Sequence, residues 1–326
     1  MRCVSLSHRP CVTNAQPSCY INGQRFVRPN NQPRFAAARW VAAIEVRQVE
    51  EASLSNRVRA RIKGIGTASW VAPTYNRRFH AFCVGTEKSG THSVAQVFAR
   101  HYRSDHEPDY PTLIPRLLAK PSEDDAWMTF LRRRDRRLWL EMEACWLHIF
   151  HLERLARAFP TAKFVLTIRD CYSWLDSLVN HLIAFDVGPY WGRAQVAYYR
   201  PEQYAFQPGE EAFRDAGLFP IRAYLSAWGR HYRHAVEVIP PERLLVVRTN
   251  EIANSAERLG AFLDVDPDSI DVQEGHQAAN DRRFHMVERI DPGLLDRTVH
   301  DCCADVMDRW FDADWRRRQD SNSGER

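Results

Sequence analysis

Phe79-His-Ala-Phe-Cys-Val-Gly-Thr-Glu-Lys-Ser-Gly-Thr-His-Ser93 is the stretch on which the fold turns. Its first six residues, Phe79 to Val84, are mostly apolar and have the length of a strand. Gly85 to Gly90 is a glycine-bounded turn. Thr91 to Tyr102 reads as a helix with Val94, Val97 and Phe98 on one face. Backbone N–H groups at a turn that enters a helix form an anion site. Lys88 adds a charge, Ser89, Thr91 and Ser93 add hydroxyls, and Gly90 lets the backbone come close to a phosphate. A Walker A loop is excluded, because there the lysine follows the last glycine and precedes a Ser or Thr. Here Lys88 precedes Gly90.

Working outward, Lys163-Phe-Val-Leu-Thr-Ile168 is apolar with little alternation, the signature of a strand buried on both faces of a parallel sheet. Arg169 and Asp170 end it, and Tyr172 to Ile183 reads as the next helix. A third unit pairs the strand Arg243 to Arg248 with a helix from Asn250 to Leu263. A charged helical stretch is predicted from Asp124 to Phe159, and a last helix from Pro292 to Arg316. Strands alternating with helices predict an α/β fold. We expect a three-layer sandwich with a central, mostly parallel sheet and a P-loop-like phosphate-binding turn. Residues 1–78 read as a partly disordered N-terminal extension, with amphipathic helical pattern between Arg39 and Lys63. Residues 79–318 read as the catalytic domain and 319–326 as a tail.

The order strand, x-x-Lys-Ser-Gly-Thr, helix resembles the 5′-phosphosulfate loop of sulfotransferases that use 3′-phosphoadenosine 5′-phosphosulfate (PAPS). The segment Phe164-Val-Leu-Thr-Ile-Arg-Asp-Cys-Tyr-Ser-Trp-Leu-Asp-Ser177 resembles their 3′-phosphate segment, an arginine at a strand end with a serine eight positions later. Leu244 to Glu251 is similar to their late strand–helix unit and reads as structural support. The resemblance covers about 80–265 and implies sulfuryl transfer from PAPS, releasing 3′-phosphoadenosine 5′-phosphate (PAP). It assigns Lys88 to the 5′-phosphate and the leaving bridging oxygen, and Arg169 and Ser177 to the 3′-phosphate. Glu87, Ser89, Gly90, Thr91, His92 and Ser93 complete the donor loop. The basic Gly-rich motif of the aryl and steroid enzymes is not recognisable. Arg282 and Arg283 stand in a comparable late position and are the candidates to supply cations there, so the likeness is to the bacterial and carbohydrate-type branch. No metal is implied.

In this family a Glu or His after the phosphate-loop helix takes the acceptor proton. The loop Ser104-Asp-His-Glu-Pro-Asp109 offers Glu107, which Pro108 is expected to hold extended, and as second choice His106. Ser173 and Ser177 are expected to share one helix face. Glu141 and Glu143 read as exposed helix carboxylates that alternatively line an acceptor cleft. His148 and His151 read as helix-surface or core-edge residues. Arg132 to Arg137 reads as a solvated helix face, able to guide an anionic acceptor.

Bulk properties agree with a soluble enzyme for anionic substrates. Of 326 residues, 44% are hydrophobic and 26% charged, and the net charge is only +4, too mild for a dedicated nucleic-acid binder. No apolar run reaches the length of a membrane span, and residues 1–10 lack an apolar signal core. Eight cysteines without a CxxC pair read as free thiols in a reducing compartment, which predicts a cytoplasmic protein. A nucleotide kinase-like phosphotransferase and an inactive PAP-binding protein are the competing functions. A small-molecule, glycan or lipid acceptor stays open, as does the oligomeric state.

Overall fold

The computed structural model describes residues 19–21, 24–26, 75–119, 124–185, 188–273, 283–311 and 315. The helical pattern of Arg39 to Lys63, Arg282 and the tail lie outside them. Residues Met1–Arg34 form a unit of their own, in which β1 (Cys19–Ile21) pairs antiparallel with β2 (Gln24–Phe26).

The second unit builds one five-stranded sheet. In chain order it contains β3 (Ala81–Cys83), α1 (Thr91–Ala99), β4 (Ser104–His106), α2 (Tyr110–Leu118), α3 (Asp124–Leu138), β5 (Met142–Ala144), a 3₁₀ turn (Trp146–His151), α4 (Leu152–Ala158) and β6 (Lys163–Ile168). Then come α5 (Cys171–Ala184), α6 (Gly188–Tyr199), α7 (Glu211–Asp215), α8 (Ile221–Val238), β7 (Leu244–Arg248), α9 (Ala256–Leu263) and α10 (Pro292–Trp310). The strand order is β4-β5-β3-β6-β7, and every pairing is parallel. Alternate strand residues face two cores. Phe82, Phe164, Leu166 and Ile168 pack with α4, α5, α8 and α10, whereas Ala81, Cys83, Val165 and Val247 pack with α1 and α9. This is the expected three-layer α/β sandwich. No described helix is long and apolar enough to cross a membrane.

Three expectations are corrected. The stretch from Asp124 to Phe159 is not continuous helix, because β5 interrupts it. The interruption hides in the sequence because β5 is flanked and occupied by acids. Glu141 is fully buried and accepts from the Tyr75 hydroxyl (2.6 Å) and from the Arg78 and Arg103 backbone N–H groups (2.9 Å each). Glu143, also buried, is met by Arg134 at 2.7 Å. Neither is an exposed helix carboxylate; each is held because its charge is matched by donors. Second, Ser104–His106 is an edge strand rather than loop. Third, Asn250 to Leu263 divides into a 3₁₀ turn (Thr249–Asn254) and α9. His148 and His151 are buried under α3, with His151 stacked on Trp127 at 5.3 Å between centroids. Cys83, Cys145, Cys171, Cys302 and Cys303 are free and buried.

Candidate functional site

Strand order decides where a ligand can sit. From β3 the chain crosses to β5 and β4 on one side, and later to β6 and β7 on the other. The carboxyl end of β3 is therefore the topological switch point, where open α/β sheets bind ligands. Gly85 to Gly90 lies there. Gly85 is packed directly on β6: a Cβ at this position would meet Thr167 Oγ1 at 2.0 Å. Ser89 Oγ is 2.8 Å from Thr167 Oγ1 and donates to Thr86 O at 2.8 Å. From β7, Thr249 Oγ1 donates to Ser89 O (2.5 Å) and Ile168 O (3.1 Å). The loop and the end of β6, where Arg169 emerges, are thus one bonded unit.

Helix α1 starts without a side-chain cap, behind Gly90 at φ 103. Its first-turn N–H groups have no carbonyl partner within the helix. Lys88, itself left-handed at φ 60, projects from the loop. Burial pulls its ammonium below the usual lysine range; Glu87 opposes this and Arg169 adds to it. Burial likewise lowers the Arg169 guanidinium, against Asp170, and Arg283 lowers it further. Among the described residues neither cation forms an ion pair. Two part-buried cations and an open helix N-terminus on adjoining strand ends have the chemistry that suits an anion with more than one charged group.

The sequence-predicted residues distribute around this centre. Asp170 caps α5, its Oδ1 accepting the Ser173 backbone N–H at 3.0 Å, and Ser173 Oγ accepts from Arg169 Nε at 3.0 Å. Ser177 is half-buried one turn farther on the same helix face. Arg283 pairs with Asp176 at 2.6 Å, beside Ser177. Glu87 has its carboxylate occupied: Tyr199 donates at 2.8 Å and Gln195 at 3.1 Å, both from α6, while its carbonyl accepts from Trp174 Nε1 at 2.7 Å. Burial raises this carboxyl above the ordinary range; the Tyr199 and Gln195 hydrogen bonds oppose it. Glu87 anchors the loop.

On the other flank, His106 Nε2 lies 3.1 Å from Thr91 Oγ1, and its ring meets that of exposed His92 edge-on at 5.1 Å. Burial, reinforced by His92 and Lys88, lowers the His106 imidazole to about 3. Glu107 extends the β4–β5 ladder through its N–H to Ala144 O (2.8 Å) and carries Oε1 3.8 Å from His106 Nε2. Burial pushes its carboxyl up to about 8; Glu87 pushes the same way and Lys88 opposes. The expectation that Pro108 keeps Glu107 extended fails. Glu107 is left-handed at φ 53, and so is Asp109 at φ 60, each at a cost of roughly 1–3 kcal/mol.

The sequence reading missed a cavity of about 460 Å³ at the carboxyl ends of β6 and β7. Arg169, Asp170 and Ser173 line it together with Tyr172, Arg248, Thr249, Asn250, Phe311 and Trp315. Leu244 to Glu251 is therefore more than structural support, since its strand end shapes this wall. Arg248 over the Phe311 ring (5.5 Å) closes one side. The aromatic content near Trp310 and Trp315 was the only sequence signal available.

A family model described as "Sulfotransferase domain" matches residues 80–274. Similar solved structures include a sulfotransferase from Alicyclobacillus acidocaldarius, 18% identical over 68% of this chain and 92% of that one, at a TM-score of 0.41. Sulfotransferase STF9 from Mycobacterium avium is 14% identical over 79% and 83%, at 0.46. The sulfotransferase domain from the curacin biosynthetic pathway is 12% identical over 67% and 86%, at 0.33. No curated protein sequence matches the chain. The family match spans well over half of the 326 residues and contains the loop, β6 and β7, so this chain belongs to the sulfotransferase family.

Proposed function

We propose that this protein transfers a sulfuryl group from PAPS to an acceptor hydroxyl or amine. The observation that carries the proposal is the juxtaposition of Lys88 and Arg169, two part-buried cations beyond the ends of adjacent parallel strands, on a loop hydrogen-bonded to the end of β6. PAPS has anionic groups at both ends of its ribose, and the site has a cation for each. Lys88 and the α1 N-terminus receive the 5′-phosphosulfate. Arg169, Ser173 and Ser177 receive the 3′-phosphate, with Arg283 at its edge, and the cavity beside Arg169 admits the adenosine.

In the transfer step an acceptor lone pair forms the new bond to sulfur, and the bond from sulfur to the bridging oxygen breaks. Lys88 meets the charge that collects on that oxygen as PAP leaves. Glu107 takes the acceptor proton. Its carboxyl must be ionised to do so, and its raised value near 8 places that ionisation within working range. kcat/KM should therefore climb about tenfold per pH unit below about pH 8 and level off above. Were neutral His106 the base, the profile would stay flat between about pH 5 and 9, because that imidazole is already deprotonated there. Glu107→Gln should lower turnover about a hundredfold with PAP affinity intact.

Thermal shift tests the donor. PAP should raise the melting temperature, while ATP with magnesium should not. Preference for ATP with magnesium would favour phosphoryl transfer instead. PAP binding without sulfuryl transfer to any acceptor would make the protein a binder. Arg169→Ala should weaken PAP roughly 10- to 100-fold, the loss of a charged hydrogen-bonding partner, and leave 5′-AMP unchanged. Equal losses for both nucleotides would remove Arg169 from the 3′-phosphate.

A further inference from the structure

The arginine run of α3 reads from sequence as a solvated face, yet Arg134 is buried. Its fork joins three segments. Nη1 donates to Glu143 Oε2 on β5 at 2.7 Å, Nη2 donates to Pro108 O at 2.7 Å, and Nε stands 3.7 Å from Asp109 Oδ2. Glu143 is braced from behind by His148 Nε2, 3.0 Å from its Oε1. Pro108 and Asp109 directly follow Glu107; both Glu107 and Asp109 hold left-handed backbone, which for Glu107, a residue before proline, the local sequence disfavours. Such a conformation persists only where its surroundings enforce it.

We propose that Arg134, seated on Glu143, is a positioning residue that clamps the 107–109 turn and so aims Glu107 at the acceptor. The role rests on Glu107 as the base. Arginine is suited to it, because a planar fork spans a carboxylate and a carbonyl at once, whereas a lysine ammonium is a point donor. A carboxylate on an unclamped turn would stay near the cleft but lose the alignment that proton transfer needs, and misplacement by about 1 Å costs on the order of a hundredfold.

Arg134→Lys keeps a cation for Glu143 and lacks the fork. It should fold, bind PAP as the wild type does, and turn over about tenfold more slowly. Arg134→Met/Glu143→Leu removes both charges, a replacement that buried pairs often tolerate. It should melt near the wild-type temperature and still turn over about a hundredfold more slowly. Recovery of turnover along with stability in the double variant, or wild-type turnover in Arg134→Lys, would overturn the positioning role. Glu107→Gln, measured alongside, separates the two ideas: wild-type turnover there removes the base itself. An impaired Glu107→Gln beside a fully active Arg134→Lys removes the clamp alone.

Discussion

Lys88→Ala should cost about a thousandfold in turnover, at the upper end of what losing one donor to a developing negative charge costs, while folding is little changed. Two features make this residue separable from the fold. Its side chain forms no ion pair among the described residues, so its removal breaks no paired contact. Burial already disfavours its charge, so the alanine variant should be as stable as the wild type or slightly more so. The loop does not depend on it either. Ser89, Thr249, Trp174 and Tyr199 hold the turn through contacts that bypass the ammonium. On the proposed function, part of the loss should be in PAP affinity, because the same ammonium would face the 5′-phosphate, but the larger part should be in kcat, where charge grows on the leaving oxygen. A variant that retains full turnover would place the phosphate loop elsewhere. One that loses PAP affinity and keeps kcat would make Lys88 a binding group only.

What could be read from sequence, and what could not, follows from where each element's determinants lie. β3 and β6 carry them locally: both are apolar, buried on both faces, and end next to the residues proposed to bind the donor. The glycine-bounded turn and Arg169 were legible for that reason, and the parallel register of Cys83 with Val165, tied by Ser89 and Thr249, brings them together. β5 carries its determinants elsewhere. Glu143 within it and Glu141 beside it are compatible with burial because Tyr75, Arg78, Arg103, Arg134 and His148 meet them from other segments. The same holds for Arg134, indistinguishable in sequence from its exposed neighbours Arg132 and Arg133. The cavity wall is assembled from the ends of β6 and β7 and the residues beyond α10, a convergence that no single window contains. Glu107 was proposed from its place in the order of elements. Its backbone conformation was mispredicted because the tertiary clamp outweighs the steric preference that a following proline imposes.

Gly85→Ala should damage both stability and turnover. The new Cβ would stand 2.0 Å from Thr167 Oγ1, 2.5 Å from Ser89 Oγ and 2.5 Å from Thr167 O. The two hydroxyls could rotate, although Ser89 would then lose its bond to Thr167. The carbonyl cannot move, because it belongs to β6 in the middle of the sheet and also accepts from the Tyr232 hydroxyl at 3.1 Å. The strain must therefore go into the loop. Overpacking of this kind costs about 1–3 kcal/mol, or more, which for a domain of this size lowers the melting temperature by several degrees. Displacing the loop by even about 1 Å would separate Lys88 from the end of β6 and cost on the order of a hundredfold in turnover. Thr167→Ala supplies the control, since it removes the closest clashing atom and leaves the carbonyl. Added to Gly85→Ala it should restore little of either stability or PAP response. Substantial rescue would mean that the threonine side chain alone forbids the methyl group, and that the loop is not seated against the backbone of β6.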